Sequence, residues 1–168
     1  KVVIPVHFAG QPCDMQAIYE LSKKYNFTII EDACHAVGGS YKGRKIGSCE
    51  FSDMTVFSFH PVKIITTGEG GMIVTNNSDY YQKLLRLRSH GITRDERFMS
   101  GKAEGPWYYQ QIDLGFNYRM TDIQAMLGVS QLKKIDMFVK RRIHLAERYN
   151  SALKELPITI PWQHRDSS

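Results

Sequence analysis

Residues 55–71 read Thr-Val-Phe-Ser-Phe-His-Pro-Val-Lys-Ile-Ile-Thr-Thr-Gly-Glu-Gly-Gly, a β-rich run that leads through Lys63 into a glycine-rich turn. Upstream, residues 27–32 read Phe-Thr-Ile-Ile-Glu-Asp, an apolar strand-like stretch that ends in a carboxylate. A third strand-like piece, Val-Val-Ile-Pro-Val, occupies residues 2–6. Between the last two, Ile18, Leu21 and Tyr25 recur at helical spacing behind Asp14, a residue suited to cap a helix over 15–24. Asn26 closes that helix, and 27–30 continues as a buried strand. Strand, helix and strand in this order imply parallel strands joined by a crossover helix, hence an α/β fold.

The rest of the chain extends this pattern. Residues 41–47, Tyr-Lys-Gly-Arg-Lys-Ile-Gly, read as a hairpin with Gly43 at its turn, and 54–59 and 71–75 as further strands. Asn77 or Ser78 caps a helix over about 79–89, with Gly91 just past its end. Residues 92–115 are irregular, with Gly101, Gly105 and Pro106 beside a Trp-Tyr-Tyr cluster at 107–109. A connection of that length inside a domain is more often functional than idle. Thr121 opens a helix whose apolar face holds Ile123, Met126, Leu127 and Leu132. A long amphipathic helix follows over about 137–156. No internal repeat or low-complexity tract is present.

With 168 residues, 42% of them hydrophobic, the chain can bury one sizeable core. It starts inside a strand and stops after a proline-bounded piece, which reads as an internal portion of a longer protein. The net charge of +5 falls largely on Lys133, Lys134 and 140–142, interleaved with Asp136, Glu147 and Glu155. That is a solvated helix face rather than a nucleic-acid stripe. No run approaches the roughly 20 apolar residues of a membrane span, and no secretory signal is visible. Cys13, Cys34 and Cys49 lack the spacing of a zinc site and suit free thiols in a reducing cytoplasm. No nucleic-acid partner, membrane association or metal is expected.

The chemistry concentrates around Lys63. By itself a lysine after a strand is usually a surface lysine. Here bulky apolar residues flank it, and a glycine run that lets backbone approach a ligand follows. Burial would lower its pKa and free the amine to attack an aldehyde. Asp32 serves equally as a helix cap, as a strand-end carboxylate held by amides, or as the partner of a protonated pyridine nitrogen. Ligand sites in open α/β sheets gather at the carboxyl ends of strands, where Asp32 falls. His35 alone reads as a satisfied core histidine, but three residues after Asp32 it can lie on a ring face. Ser58 offers a hydroxyl to a phosphate. A lysine for a Schiff base and a carboxylate for a pyridinium are what pyridoxal 5'-phosphate requires of a protein.

Four ordered motifs make this specific: Asp32-Ala-Cys-His35, Ser58-Phe-His-Pro-Val-Lys63, Gly68-Glu-Gly-Gly71 and Gly115-Phe-Asn-Tyr-Arg-Met-Thr-Asp122. Together they resemble the DegT/DnrJ/EryC1/StrS sugar aminotransferases over essentially the whole chain. The resemblance implies the fold-type I, aspartate-aminotransferase-like large domain: three layers, α/β/α, around a mainly parallel sheet. Residues 1–135 would form part of that cofactor-binding domain. Residues 136–168 would form a connecting helix and the start of a smaller C-terminal domain. Lys63 would be the Schiff-base lysine and proton shuttle, and Asp32 would keep the pyridine nitrogen protonated. His35 would stack on the ring where many relatives have glutamine, and Ser58 would bind the phosphate. Asn117 would reach the phosphate of the partner subunit's cofactor, making a homodimer with shared sites.

Within the family, His35, the string at 59–67 and Arg86-Leu-Arg-Ser-His-Gly91 look most like the transaminases of pseudaminic acid synthesis. The resemblance then implies transfer of an amino group, with glutamate as donor, to C4 of a nucleotide-linked 4-keto-6-deoxy sugar in the cytoplasm. Perosamine- and aminoarabinose-type enzymes are close alternatives, and a non-catalytic regulatory protein of the same fold is another. A dehydratase of this fold would carry histidine in place of Lys63. The family's N-terminal Gly-Thr phosphate-binding turn and its full small domain have no counterpart in residues 1–168. The isolated segment is therefore expected to be inactive.

Overall fold

A computed structural model describes residues 1–164, 166 and 167. Residues 165 and 168, at the end of the expected C-terminal segment, lie outside the described residues. The chain forms two compact units, one built from Lys1–Thr75 with Asp122–Ser168 and one from Asn76–Thr121.

In the first unit the sheet begins with β1 (Val2–Val3) and β2 (Thr28–Asp32), joined through helix α1 (Met15–Tyr25). A small hairpin, β3 (Ser40–Tyr41) and β4 (Arg44–Lys45), precedes β5 (Met54–Ser58) and β6 (Gly71–Val74). The four main strands lie in the order β1-β2-β5-β6. The first two pairings are parallel and β5 with β6 is antiparallel. This is the mainly parallel sheet expected from sequence. β1 is shorter than the expected 2–6. Pro5, which lacks an N–H, interrupts the ladder, and pairing resumes at a single bridge between Val6 and Asp32.

Local chemistry explains the connections. Asp14 accepts the Ala17 N–H at 3.3 Å, capping α1. Asn26 ends the helix in the left-handed conformation at φ 50°. Lys42 and Gly43 both take positive φ, as a two-residue hairpin turn of this kind requires. The apolar core gathers Met15, Ile29 and Tyr41, with Phe27 and Phe51 packed against them. Helix α1 therefore covers one face of β2.

The second unit contains α2 (Ser78–Leu87) and a two-stranded ribbon, β7 (Ile92–Thr93) with β8 (Gln110–Gln111). Asn77 caps α2 by accepting the N–H groups of Asp79 and Tyr80 at 2.8 and 3.1 Å. The helix ends at Leu87, two residues before the expected Ser89. Arg86 meets Asp113 at 2.8 Å, and Gly91, at φ 70°, lies so close to the Asp113 carbonyl that a Cβ would sit 1.7 Å from it. Residues 92–115 are thus tied back onto α2.

Helices α3 (Asp122–Leu132) and α4 (Ile135–Leu153) complete the first unit. The apolar face expected of α3 is present but uncovered: Ile123 is 84% exposed, and Met126, Leu127 and Leu132 are exposed as well. Periodicity correctly marks a helix with an apolar side, but none of the described residues covers that side. Among the described residues, no helix is long and apolar enough to cross a membrane.

Candidate active site

The register between β2 and β5 sets the site. Asp32 pairs with Val56 and Glu31 with Thr55. Side chains alternate along a strand, so Asp32, Val56 and Ser58 fall on one face and Glu31 and Thr55 on the other. The sheet thereby carries two different polar groups, one on each side of the carboxyl ends of adjacent parallel strands.

On the first face, Asp32 Oδ1 accepts the Cys34 N–H at 3.1 Å. Hydrogen bonding from the Cys34 side chain is the largest influence on the Asp32 carboxyl. Against partial burial it holds the carboxyl below its usual pKa, aided by the Cys34 amide and by the nearby His35 and Lys63. The Cys34 thiol, half-buried beside that carboxylate, is pushed up to about 11 by partial burial and by Asp32, and stays protonated. Of the roles that the sequence position of Asp32 allowed, the structure shows one directly. Asp32 is a strand-end carboxylate held by an amide, and it is an anion in the field of Lys63.

Lys63 follows β5 in a turn whose N–H bonds to the His60 carbonyl at 3.0 Å. It is half-buried rather than buried, so the described residues do not supply the enclosure expected from its apolar neighbours. Val62, beside it, is 79% exposed. His35 is exposed; its Nδ1 accepts the Ala9 N–H at 3.3 Å, so it is not a core histidine. Ser58 ends β5, and its Oγ accepts the His60 N–H at 3.4 Å. The glycine-rich turn is pinned where it follows Lys63. Thr67 Oγ donates to the Glu69 carbonyl at 2.7 Å, and the Glu69 carboxylate meets His60 Nδ1 at 2.8 Å. A cavity of about 780 Å³ joins Lys63, His35 and Cys34 to Gly10 and to Arg142 and Tyr149 of α4. Asn117 belongs to the second unit, where its Oδ1 accepts from Arg119 at 3.1 Å and its backbone bridges Ser89.

The opposite face holds a group that the sequence reading missed. His7 is fully buried and Glu31 is 5% exposed. They meet through His7 Nε2 and Glu31 Oε2 at 2.7 Å. Ser52 and Thr55 donate to the other carboxylate oxygen, Thr55 at 2.9 Å. The Cys13 N–H donates to His7 Nδ1 at 3.2 Å, which leaves the ring proton on Nε2. Burial alone would raise the Glu31 carboxyl, but the bonds from His7, Ser52 and Thr55 outweigh it and bring the carboxyl below 4.5. The available signal was the strand period, because Glu31 lies two residues from buried Ile29 and must share its inward face.

Removing this acceptor should be costly. Glu31→Ala strands two buried donors, His7 and Thr55, and half-buried Ser52, and is expected to destabilise the fold by about 3–5 kcal/mol, read by chemical denaturation at neutral pH. Because the folded carboxyl lies below its usual pKa, the Glu31 contribution is complete above about pH 4.5 and fades as pH falls through the lower folded value. The gap between wild type and Glu31→Ala should therefore narrow in acid. A constant gap would contradict this.

Comparison with known proteins completes the description. The description of the DegT/DnrJ/EryC1/StrS aminotransferase family matches residues 1–168. The chain belongs to this family. An uncharacterised protein of Methanocaldococcus jannaschii is 49% identical over 158 residues, which is 93% of this chain and 40% of that protein. The spore coat polysaccharide biosynthesis protein SpsC of Bacillus subtilis is 41% identical over 167 residues, 99% of this chain and 42% of that one. The chain thus spans about two fifths of the length of the curated relatives it matches.

Among solved structures, Helicobacter pylori PseC, an aminotransferase involved in the biosynthesis of pseudoaminic acid, superposes with a TM-score of 0.84 at 34% identity. The match covers 94% of this chain and 39% of PseC. Spr1654 of Streptococcus pneumoniae, solved in a PLP-form and a PMP-form, superposes with TM-scores of 0.82 and 0.83 at 31% and 30% identity. Each match covers 99% of this chain, and 45% and 46% of the two Spr1654 chains. The DegT/DnrJ/EryC1/StrS aminotransferases depend on pyridoxal 5'-phosphate, and the fold here is that of their solved members.

Proposed function

We propose that the full-length protein transfers an amino group to C4 of a nucleotide-linked 4-keto-6-deoxy sugar, with glutamate as donor, for pseudaminic acid or a related cell-surface sugar. The observation that carries this reading is the anionic Asp32 at the end of β2, held in the field of Lys63 and His35. A ring and a primary amine that line one cavity, with an ionised carboxylate close enough to feel both, make a donor set that fits pyridoxal phosphate. The likeness to PseC and SpsC supports the sugar substrate.

When bound, the cofactor supplies an aldehyde that condenses with amines and an electron-poor ring that spreads negative charge. The work of the chain follows from its geometry. Asp32 would pair with the protonated ring nitrogen, His35 would lie toward the ring, and the Ser58 hydroxyl would donate to the phosphate. Lys63 Nζ would hold the cofactor through its aldehyde and serve as the base and acid that moves the proton. The His60–Glu69 contact holds the turn that presents Lys63. Its histidine is engaged with a carboxylate and Lys63 is present, which favours amino transfer over dehydration.

The assembly proposed is a homodimer with shared sites in the cytoplasm. The uncovered apolar side of α3 and the exposed Leu114, Phe116 and Tyr118 around Asn117 support a covering second copy. Two variants that are each inactive, Lys63→Ala and Asn117→Asp, test it in full-length protein. After subunit exchange, each heterodimer holds one site with both defects and one with neither, so part of the activity should return. No recovery despite proven exchange would mean that the sites are not shared. Adding glutamate to the cofactor-loaded protein should bleach the visible cofactor band. A band unmoved by glutamate would remove the proposed donor.

A further inference from the structure

The segment from His7 to Cys13 is a closed loop. Its first residue donates its N–H to the Asp32 carbonyl at 3.0 Å, so the loop starts at the strand end that carries Asp32. Its last residue donates its N–H to the His7 ring at 3.2 Å. One buried imidazole thus bridges both ends of the loop, and Glu31 on the far face of β2 fixes the orientation of that imidazole. The backbone between them is tightly constrained. Phe8–Gly10 forms a single helical turn in which Ala9 takes φ 54°, an uncommon conformation for a residue with a Cβ. Gly10, at φ 91°, packs so closely that a Cβ would lie 3.2 Å from the His35 carbonyl.

The apex of this loop meets His35. The Ala9 N–H donates to its Nδ1, and Phe8 sits edge-on to its ring at a centroid distance of 5.8 Å. An N–H aimed at Nδ1 leaves the ring proton on Nε2. Among the described residues no acceptor is recorded for Nε2, while the ring lines the cavity that also holds Lys63.

We propose that the 7–13 loop, closed by the Cys13 bond to the buried His7 ring, is a positioning device that holds His35 as an Nε2–H donor toward the cofactor cavity. Its purpose rests on the cofactor role proposed above for His35, but its first consequence does not need the cofactor. His7 touches no ligand; it acts through the loop.

Histidine labelled with ¹³C in full-length, cofactor-free protein reports the tautomer of His35 by the Cδ2 shift, with the signal assigned through His35→Gln. Wild type should show the Nε2–H form alone. An Nδ1–H form or an even mixture overturns the proposal, whatever the variants do. Two substitutions then divide the work of His7. His7→Asn keeps an acceptor where Nδ1 stood, for Cys13, but loses Glu31. His7→Gln keeps a donor for Glu31 but loses Cys13. His7→Asn should retain the His35 signal, whereas His7→Gln should move it toward a mixture and weaken pyridoxal phosphate retention about fivefold, the size of one lost orienting hydrogen bond. Equal His35 signals in the two folded variants would overturn the loop as the cause. A wild type with the expected tautomer that fails to bind pyridoxal phosphate would overturn the proposed function and leave the loop mechanism standing.

Discussion

Lys63→Ala is expected to abolish turnover in the full-length protein, by at least about 10⁴-fold, because in the proposed reaction one side chain would both anchor the cofactor and move the proton. The half-buried turn that carries Lys63, facing the same cavity as His35, makes it the amine best placed for both tasks. Borohydride reduction of the cofactor-loaded wild type should leave a pyridoxyl mass on the peptide that contains Lys63, read by mass spectrometry. Lys63→Arg should not rescue, since the guanidinium is never deprotonated in the working range. A label on a different lysine, or a Lys63→Ala variant that still turns over, would end the assignment.

Asp32→Ala carries the second largest expected effect. The carboxylate is already held ionised before any ligand arrives, so a bound pyridinium gains a partner without reorganisation. Removing one member of a covered ion pair costs about 3–5 kcal/mol, roughly 10²- to 10³-fold or more. Both turnover and cofactor retention should fall by that factor, and Asp32→Asn should fall nearly as far, since it keeps the shape without the charge. The lowered pKa also fixes the pH behaviour. Held below the usual carboxylate range, Asp32 keeps most of its charge down to the bottom of that range. Any acid limb of the activity profile above this point must arise elsewhere. A rate near normal in Asp32→Ala would make the carboxylate a structural cap for the Cys34 amide alone.

The two carboxylates side by side in β2 show how far local reading reaches. Asp32 was legible because it ends an apolar strand, and strand ends in α/β sheets are where ligands gather. Glu31 was not singled out, although it is the more buried, because its role depends on His7 and Thr55, each 24 residues away. Nothing local announces a partner at that distance. The period of the strand says that Glu31 faces inward with Ile29, but only the packed register supplies the donors that make an inward carboxylate tolerable. The same division holds for His35. Its place after Asp32 was visible, whereas the N–H of Ala9 on its ring comes from a loop 26 residues upstream.

Helix α3 gives the converse lesson. Its apolar residues recur at helical spacing and the helix forms, yet Ile123 and Met126 face outward. Periodicity encodes the presence of an apolar side but not the surface that will cover it.

The sequence by itself determined the local elements: the Asp14 and Asn77 caps, the hairpin turn at Lys42 and Gly43, and the strand–lysine–glycine order that presents Lys63. These depend on backbone preferences and short-range hydrogen bonds, which neighbouring residues settle among themselves. The tertiary structure alone decided the buried His7–Glu31 pair, the half-buried setting of Lys63 and the uncovered side of α3. Each of these depends on which distant segment, if any, comes to lie against the residue, and burial and long-range pairing are set by the packed whole.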